Sequence, residues 1–387
     1  MARRRTWLSP ACHSRMDTFA FIIHPIDPKR DVSRKFPLLG RYLSVSQINF
    51  FSTFFPPLYI SEINGVRSQA TGKEIVGWFV ACPYTPARML ELPETAVYHK
   101  ITQTGRLAEK LGARVLGLGA FTSVIGDAGL TVSRALSIPV TTGDSYTVAI
   151  AVEAVREAAR VMEVPLAGAT AAVVGAAGAI GSVAAELMAR DVAQVVLVGR
   201  PQNLARLEAL RDRLCARPLT RAQVSLAANL APLAQADLIL AVTSALDVVI
   251  EPEHLRPGAV VCDIARPRDV SARVAALRDD VLVIDGGMVA VPGAVDFHFN
   301  FGFPPGMAYA CMAETMTLAL EGRFESYTLG KQITTEQVEE IARLASKHGF
   351  RLGGFRSFER AVTPDQIERV KAASAKTRAR GAQESVR

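Results

Sequence analysis

TAAVVGAAGAIGSVAAELMAR, residues 170–190, decides the fold. Its opening residues are small or branched and apolar, which suits a strand buried on both faces. Three glycines follow at a spacing of three, Gly175, Gly178 and Gly181, and AIGSVAAELMAR then reads as a helix. Downstream come AQVVLVG (193–199), a helical NLARLEALRDRL (203–214), AQVSL (222–226), DLILAV (237–242), AVVCDI (259–264) and VLVID (281–285). Short apolar runs alternating with helical or polar matter predict an α/β, Rossmann-type doubly wound parallel sheet. This domain is expected over residues 158–304, ending at Pro304-Pro305.

A glycine loop between first strand and first helix has a chemical use. It lets the backbone turn tightly and lets a pyrophosphate approach the helix N-terminus, where free N–H groups and the dipole favour an anion. Gly175, Gly178 and Gly181, with Ala179 and Ile180 between them, are therefore the candidate dinucleotide loop. NAD sites carry an acid at the end of the second strand, bonded to the ribose 2′-hydroxyl. Here VLVGRPQN places Arg200 there and no acid. A guanidinium pairs with a 2′-phosphate, so the expected cofactor is NADPH. Thr243 and Ser244, in AVTSAL (241–246) after the fourth strand, are candidate contacts near the nicotinamide ribose.

The remaining chain surrounds this unit. Its 387 residues suit two domains. Residues 1–15 are Arg-rich and read as an extension, 16–157 as a smaller α/β substrate domain, 305–355 as C-terminal helices, and 356–387 as a basic, mobile tail. The net charge is +7, yet residues 1–15 and 356–387 each hold +4, which leaves the body near neutral and argues against nucleic acid as partner. The five cysteines, Cys12, Cys82, Cys215, Cys262 and Cys311, form no CxxC pair, which fits a reducing, cytoplasmic compartment. No apolar run reaches transmembrane length, and no histidine stands at metal-ligand spacing, so neither a transmembrane segment nor a bound metal is expected. SYTVAIAVEAVREAARVMEV (145–164) and TTEQVEEIARLASKHG (334–349) read as helices, the second capped by Thr334 or Thr335 and stopped by Gly349.

Cys311 lies in GMAYACMAETMTLALEG (306–322), a stretch read as a helix starting near Pro305. A lone cysteine on an apolar helix is most often a small core hydrophobe. The motifs around it point elsewhere. SEI (61–63), ATGKEI (70–75), LGAFTSVI (118–125), TTGDSYT (141–147), AVVGAAGAIGS (172–182), CMAETMTLALEG (311–322), GKQIT (330–334) and KHGF (347–350) resemble, piece by piece and in order, the long-chain acyl-[acyl-carrier-protein] reductases. That resemblance implies reduction of a fatty acyl thioester to an aldehyde by NADPH, with Cys311 as nucleophile. It also implies acyl carrier protein as substrate carrier and a downstream aldehyde-consuming enzyme as a further partner.

The residues themselves leave choices open. Glu314 shares a helix face with Cys311 and would either raise the thiol pKa or act as a base through water. Cys82 is the rival nucleophile. INFFSTFFPPLYI (48–60) is the candidate wall of an acyl channel, whereas Phe297, Phe299, Phe301 and Phe303 have strand period and read as core, with His298 structural. Two other readings compete: an NADP-dependent dehydrogenase of a small hydroxy or amino acid, and a non-catalytic NADP(H)-binding protein.

Overall fold

The structure is a computed structural model that describes residues 16–245 and 248–384. The expectations for residues 1–15 and Cys12, and the end of AVTSAL at Leu246, lie outside the described residues.

The first unit carries a six-stranded mixed sheet. β1 (Asp17–Ile23), β2 (Leu58–Arg67), β3 (Glu74–Ala81), β4 (Leu116–Gly117) and β5 (Val140–Thr141) are ordered β2-β3-β1-β4-β5. β3, β1, β4 and β5 run parallel, so their C-terminal ends share one rim. Three short helices, α1 (Pro28–Lys35), α2 (Pro37–Tyr42) and α3 (Val45–Ser52), fill the β1–β2 connection. Prolines open α1 and α2 where a missing N–H is harmless, and Ser44 with Gln47 closes a capping box on α3. α4 (Pro86–Glu91), α5 (Glu94–Leu111), α6 (Phe121–Val124) and α7 (Leu130–Arg134) follow β3 and β4. α5 covers one sheet face, packing Val97 and Ile101 with Ile22 and Val80.

α8 (Asp144–Val161) is the predicted long helix and joins the two units. Tyr146 and Ile150 enter the first core, while Val148, Val152, Val155 and Ala158 enter the second. A helix apolar on most of its circumference is stable only when enclosed in this way.

The second unit is the expected parallel sheet. Its strands are β6 (Thr170–Val174), β7 (Gln194–Val198), β8 (Gln223–Ala227), β9 (Leu238–Ala241), β10 (Val260–Asp263) and β11 (Leu282–Asp285). Their order, β11-β10-β9-β6-β7-β8, reverses direction at β6, which puts the ligand crevice above β6 and β9. α9 (Ala179–Met188), α10 (Leu204–Cys215) and α11 (Ala272–Leu277) belong to this unit.

The boundaries expected downstream need correction. The parallel sheet ends at Asp285, not near 304. β12 (Met288–Ala290) pairs with β14 (Met307–Tyr309), and β13 (Gly293–Asp296) joins β2 at the edge of the first sheet. α12 (Ala310–Glu321) and α13 (Thr335–His348) cover the other face of that sheet, with Ala313, Met316 and Ile341 against Phe19 and Phe79. Thr334 and Gly349 cap α13 as expected. Residues 356–384 are not a loose tail. They form a hairpin of β16 (Arg356–Ser357) and β17 (Arg360–Ala361), after the short β15 (Arg351–Leu352), and then α14 (Pro364–Glu384). Val370 of α14 is buried in the second core, and Lys371 is paired with Glu163. Among the described residues no helix is long and apolar enough to cross a membrane.

Candidate active site

The C-terminal rims of the two sheets face a single cavity of about 1500 Å3. From the second unit come the glycine loop after β6 and residues 242–245 after β9; from the first come His24 after β1, Gly119–Phe121 after β4, and Thr142 and Asp144 around the start of α8.

The glycine loop is shaped as a dinucleotide requires. Gly175 has φ +91°, and a Cβ there would meet the Val242 carbonyl oxygen at 2.7 Å. A Cβ on Gly181 would lie 2.4 Å from the Gly175 oxygen. These two glycines permit the loop itself, while Gly178 leaves room above it. α9 starts without a side-chain cap, so its first N–H groups are free where Gly178, Ala179 and Ile180 line the cavity. The residues present fit a dinucleotide on this evidence.

Arg200 is exposed at this end of the cavity, and Arg206 and Asn203 line it beside Arg200. Arg206 was not legible as a site residue because it lies on α10, six positions past the strand-end signature. Thr243 and Ser244 both line the cavity; Ser244 is exposed, while the Thr243 N–H donates to Asp269 Oδ2 at 2.8 Å and its hydroxyl donates to Oδ1. Thr243 shapes the loop through the buried Asp269.

Cys311 also lines the cavity and is partly exposed. The helix does not begin near Pro305. Residues up to Tyr309 are held in β14, so α12 begins at Ala310 and Cys311 sits in its first turn. The helix dipole therefore acts on the thiol more strongly than the sequence implied. Burial still pushes the thiol up to about 12, the Asp144 carboxylate adds to this, and the Met312 and Cys311 N–H groups pull the other way. Asp144 is itself buried beside Glu314 and is pushed up to about 7.

Glu314 answers the choice left open by the sequence. It is fully buried, and its carboxylate accepts hydrogen bonds from the Thr141 hydroxyl, from the Thr328 hydroxyl at 2.8 Å and from the Tyr146 N–H at 2.9 Å. It ties the segment after β5 to α12. That tether brings Gly143 (φ +77°) so near that a Cβ on it would lie 2.3 Å from Cys311 Cα. Asp144, the next residue, is thereby fixed beside the thiol. Neither Asp144 nor His24 was singled out from the sequence. The His24 Nε2 accepts from the Phe121 N–H at 3.0 Å, and burial lowers its pKa to about 4, so the ring is neutral.

Other expectations fall into place. Cys82 is fully buried, its thiol pushed up to about 11, and Cys262 is buried in the second core. Phe297 is core, stacked on Phe79, but residues 297–303 form no strand, and Phe299, Phe301 and Phe303 line the cavity. His298 is half-exposed with φ +48° and stands 3.4 Å from Asp296. Leu39, Leu43, Ile48, Phe51 and Phe55 form the apolar end, so α2 and α3 as well as the predicted 48–60 stretch build that wall.

The sequence profile of the shikimate/quinate 5-dehydrogenase family matches residues 156–285, from α8 to the end of β11. Together with the glycine loop, this defines the second unit as a nicotinamide-dinucleotide-binding domain of the dehydrogenase type. Over most of its length the chain is similar to two further proteins. One is the long-chain acyl-[acyl-carrier-protein] reductase of Synechococcus elongatus, 28% identical over 338 residues, covering 84% of this chain and 95% of that protein. The other is aminotransferase PigE of a Serratia species, 30% identical over 308 residues, covering 79% of this chain but 35% of that protein. Among solved structures, L-tryptophan dehydrogenase from Nostoc punctiforme aligns over 94% of this chain and 89% of its own at 12% identity, with a TM-score of 0.39.

The tether makes a prediction. Glu314→Ala leaves the buried Thr141 hydroxyl and Tyr146 N–H without their acceptor, Thr328 keeping the Ser145 hydroxyl, and should lower unfolding free energy by about 3 kcal/mol in chemical denaturation. A loss under about 1 kcal/mol would mean that the carboxylate is not holding the segment.

Proposed function

We propose that the protein reduces a fatty acyl thioester, presented by acyl carrier protein, to a fatty aldehyde with NADPH, through an acyl group carried on Cys311. One observation carries the reading: a first-turn cysteine lies in one continuous cavity between a dinucleotide loop and an apolar chamber. The similarity to the Synechococcus reductase supports the same assignment.

The chain's residues account for the acyl transfer. The thiol is protonated at rest, so a base must take its proton as sulfur attacks. Asp144 is suited to this, being buried beside the thiol with a pKa near neutrality. The Cys311 Sγ–carbon bond forms, the carrier's carbon–sulfur bond breaks, and the proton held on Asp144 passes to the departing carrier thiolate. The Met312 and Cys311 N–H groups stabilise negative charge on the sulfur. A nicotinamide dinucleotide held at Gly175 and Gly178 with Arg200 would supply the hydride that the acyl carbon takes up. Cys311 then leaves as thiolate, freeing the aldehyde, and takes up from solvent the one proton that the reaction consumes. The apolar walls hold the chain and keep water from the thioester.

With a long-chain acyl carrier protein and NADPH, the protein should form aldehyde, and Cys311→Ser should not. Asp144 acts as a base only when deprotonated, so the rate should rise as pH increases through about 7. Glu314 and Cys311 are the titratable groups that face it. Asp144→Asn should slow aldehyde formation about 100-fold and abolish that acidic limb. Iodoacetamide labelling of Cys311 should not slow in the same variant, because a carboxylate that raises the thiol pKa has gone. Aldehyde formation by Cys311→Ser at the parent rate would refute the mechanism; an unchanged pH profile in Asp144→Asn would refute the base.

Arg200, with no acid at the strand end, supports NADPH over NADH. Arg200→Asp should raise the NADPH dissociation constant at least about tenfold and leave NADH nearly unchanged, as read by fluorescence titration. Equal losses for both would refute the phosphate assignment.

A further inference from the structure

The helices that build the apolar end of the cavity also carry the densest run of exposed large apolar side chains among the described residues. Leu38, Tyr42 and Phe54 are 70%, 73% and 70% exposed, and Phe50 is 58% exposed. None of these four lines the cavity. Soluble proteins rarely leave such clusters bare without a use.

Two observations say what covers them. The first is continuity with the site. Phe36, Leu39, Phe51 and Phe55 are both exposed and part of the cavity wall, so the apolar chamber opens onto this face. The second is charge. Residues 32–61 contain Arg34, Lys35 and Arg41 and no Asp or Glu. Arg34 is paired with Asp31 and Lys35 donates to the Ile60 carbonyl oxygen, which leaves Arg41, lying over the Tyr42 ring at 5.6 Å. An acidic protein partner would need several uncommitted cations here. Two cations from neighbouring helices add to Arg41 at the edge of this face: Arg88, bonded to the Thr53 hydroxyl and paired with Glu91, and Lys100, bonded to the Phe55 carbonyl oxygen. Protruding aromatic and leucine side chains rimmed by a few cations suit the interface of an anionic bilayer.

We infer that the α2–α3 face docks on the surface of an anionic lipid bilayer, lying in the interface with the cavity mouth against the hydrocarbon. A chain-length aldehyde then passes from the chamber into lipid without crossing water. The cargo rests on the acyl-thioester reading; the docking itself does not.

Flotation of the full chain with vesicles tests it without substrate, so vesicle binding by a protein that reduces nothing separates the two failures. The protein should float with phosphatidylglycerol-rich vesicles and bind pure phosphatidylcholine vesicles several-fold more weakly. Leu38→Ser, Tyr42→Ser and Phe54→Ser together should weaken binding at least about tenfold with the thermal melting unchanged. Arg41→Glu should weaken binding to the anionic vesicles at least about fivefold and leave binding to phosphatidylcholine nearly unchanged. No flotation with either lipid, or a triple variant that floats like the parent, overturns the inference. So does a chain that fails to float and sediments as a dimer which the triple variant dissolves, since the face would then be covered by a second copy.

Discussion

The site depends on one buried carboxylate. Glu314 projects from α12 into the segment after β5 and accepts hydrogen bonds from Thr141, Thr328 and Tyr146. A carboxylate without water is costly to bury, and it is retained here because each bond answers that cost with a fixed donor. The gain is geometric. Strand end, α8 start and α12 start are held to one another, and Gly143 rests on Cys311 with no space for a side chain. Asp144, next to that contact, is held beside the thiol.

The electrostatics run against simple activation. A cysteine placed at a helix start gains from the dipole, but desolvation and then the Asp144 and Glu314 carboxylates outweigh it and hold the thiol protonated. Such a cysteine resists adventitious oxidation and alkylation, because the thiolate is the reactive form. The same environment raises Asp144 towards neutrality, where a carboxylate can both accept and return a proton. Both upward shifts thus share one leading cause, the burial of neighbouring groups.

The sequence was most informative where structure is local. The glycine spacing, the alternation from residue 170, and the helices over 145–164 and 334–349 follow from short-range rules, and these elements occur where expected. It misled where the backbone departs from its pattern. The residues after Pro304-Pro305 suit a helix start, yet pairing with β12 holds Met307–Tyr309 extended and delays α12 to Ala310. The alternating phenylalanines suit a strand, but His298 and Gly302, both at positive φ, bend the chain so that its rings divide between core and cavity. The role of Glu314 was illegible, because two of its partners, Thr141 and Tyr146, lie 173 and 168 positions away. Asp144 stood in a quoted motif, but its significance needs the contact of its neighbour with Cys311.

The most direct measurement is the mass of the intact protein, followed by peptide mapping, after incubation with a long-chain acyl carrier protein and no dinucleotide. The account predicts one added acyl group on the peptide containing Cys311, removed when NADPH is supplied. An unmodified protein, or an acyl group on Cys82 with Cys311 free, would contradict it.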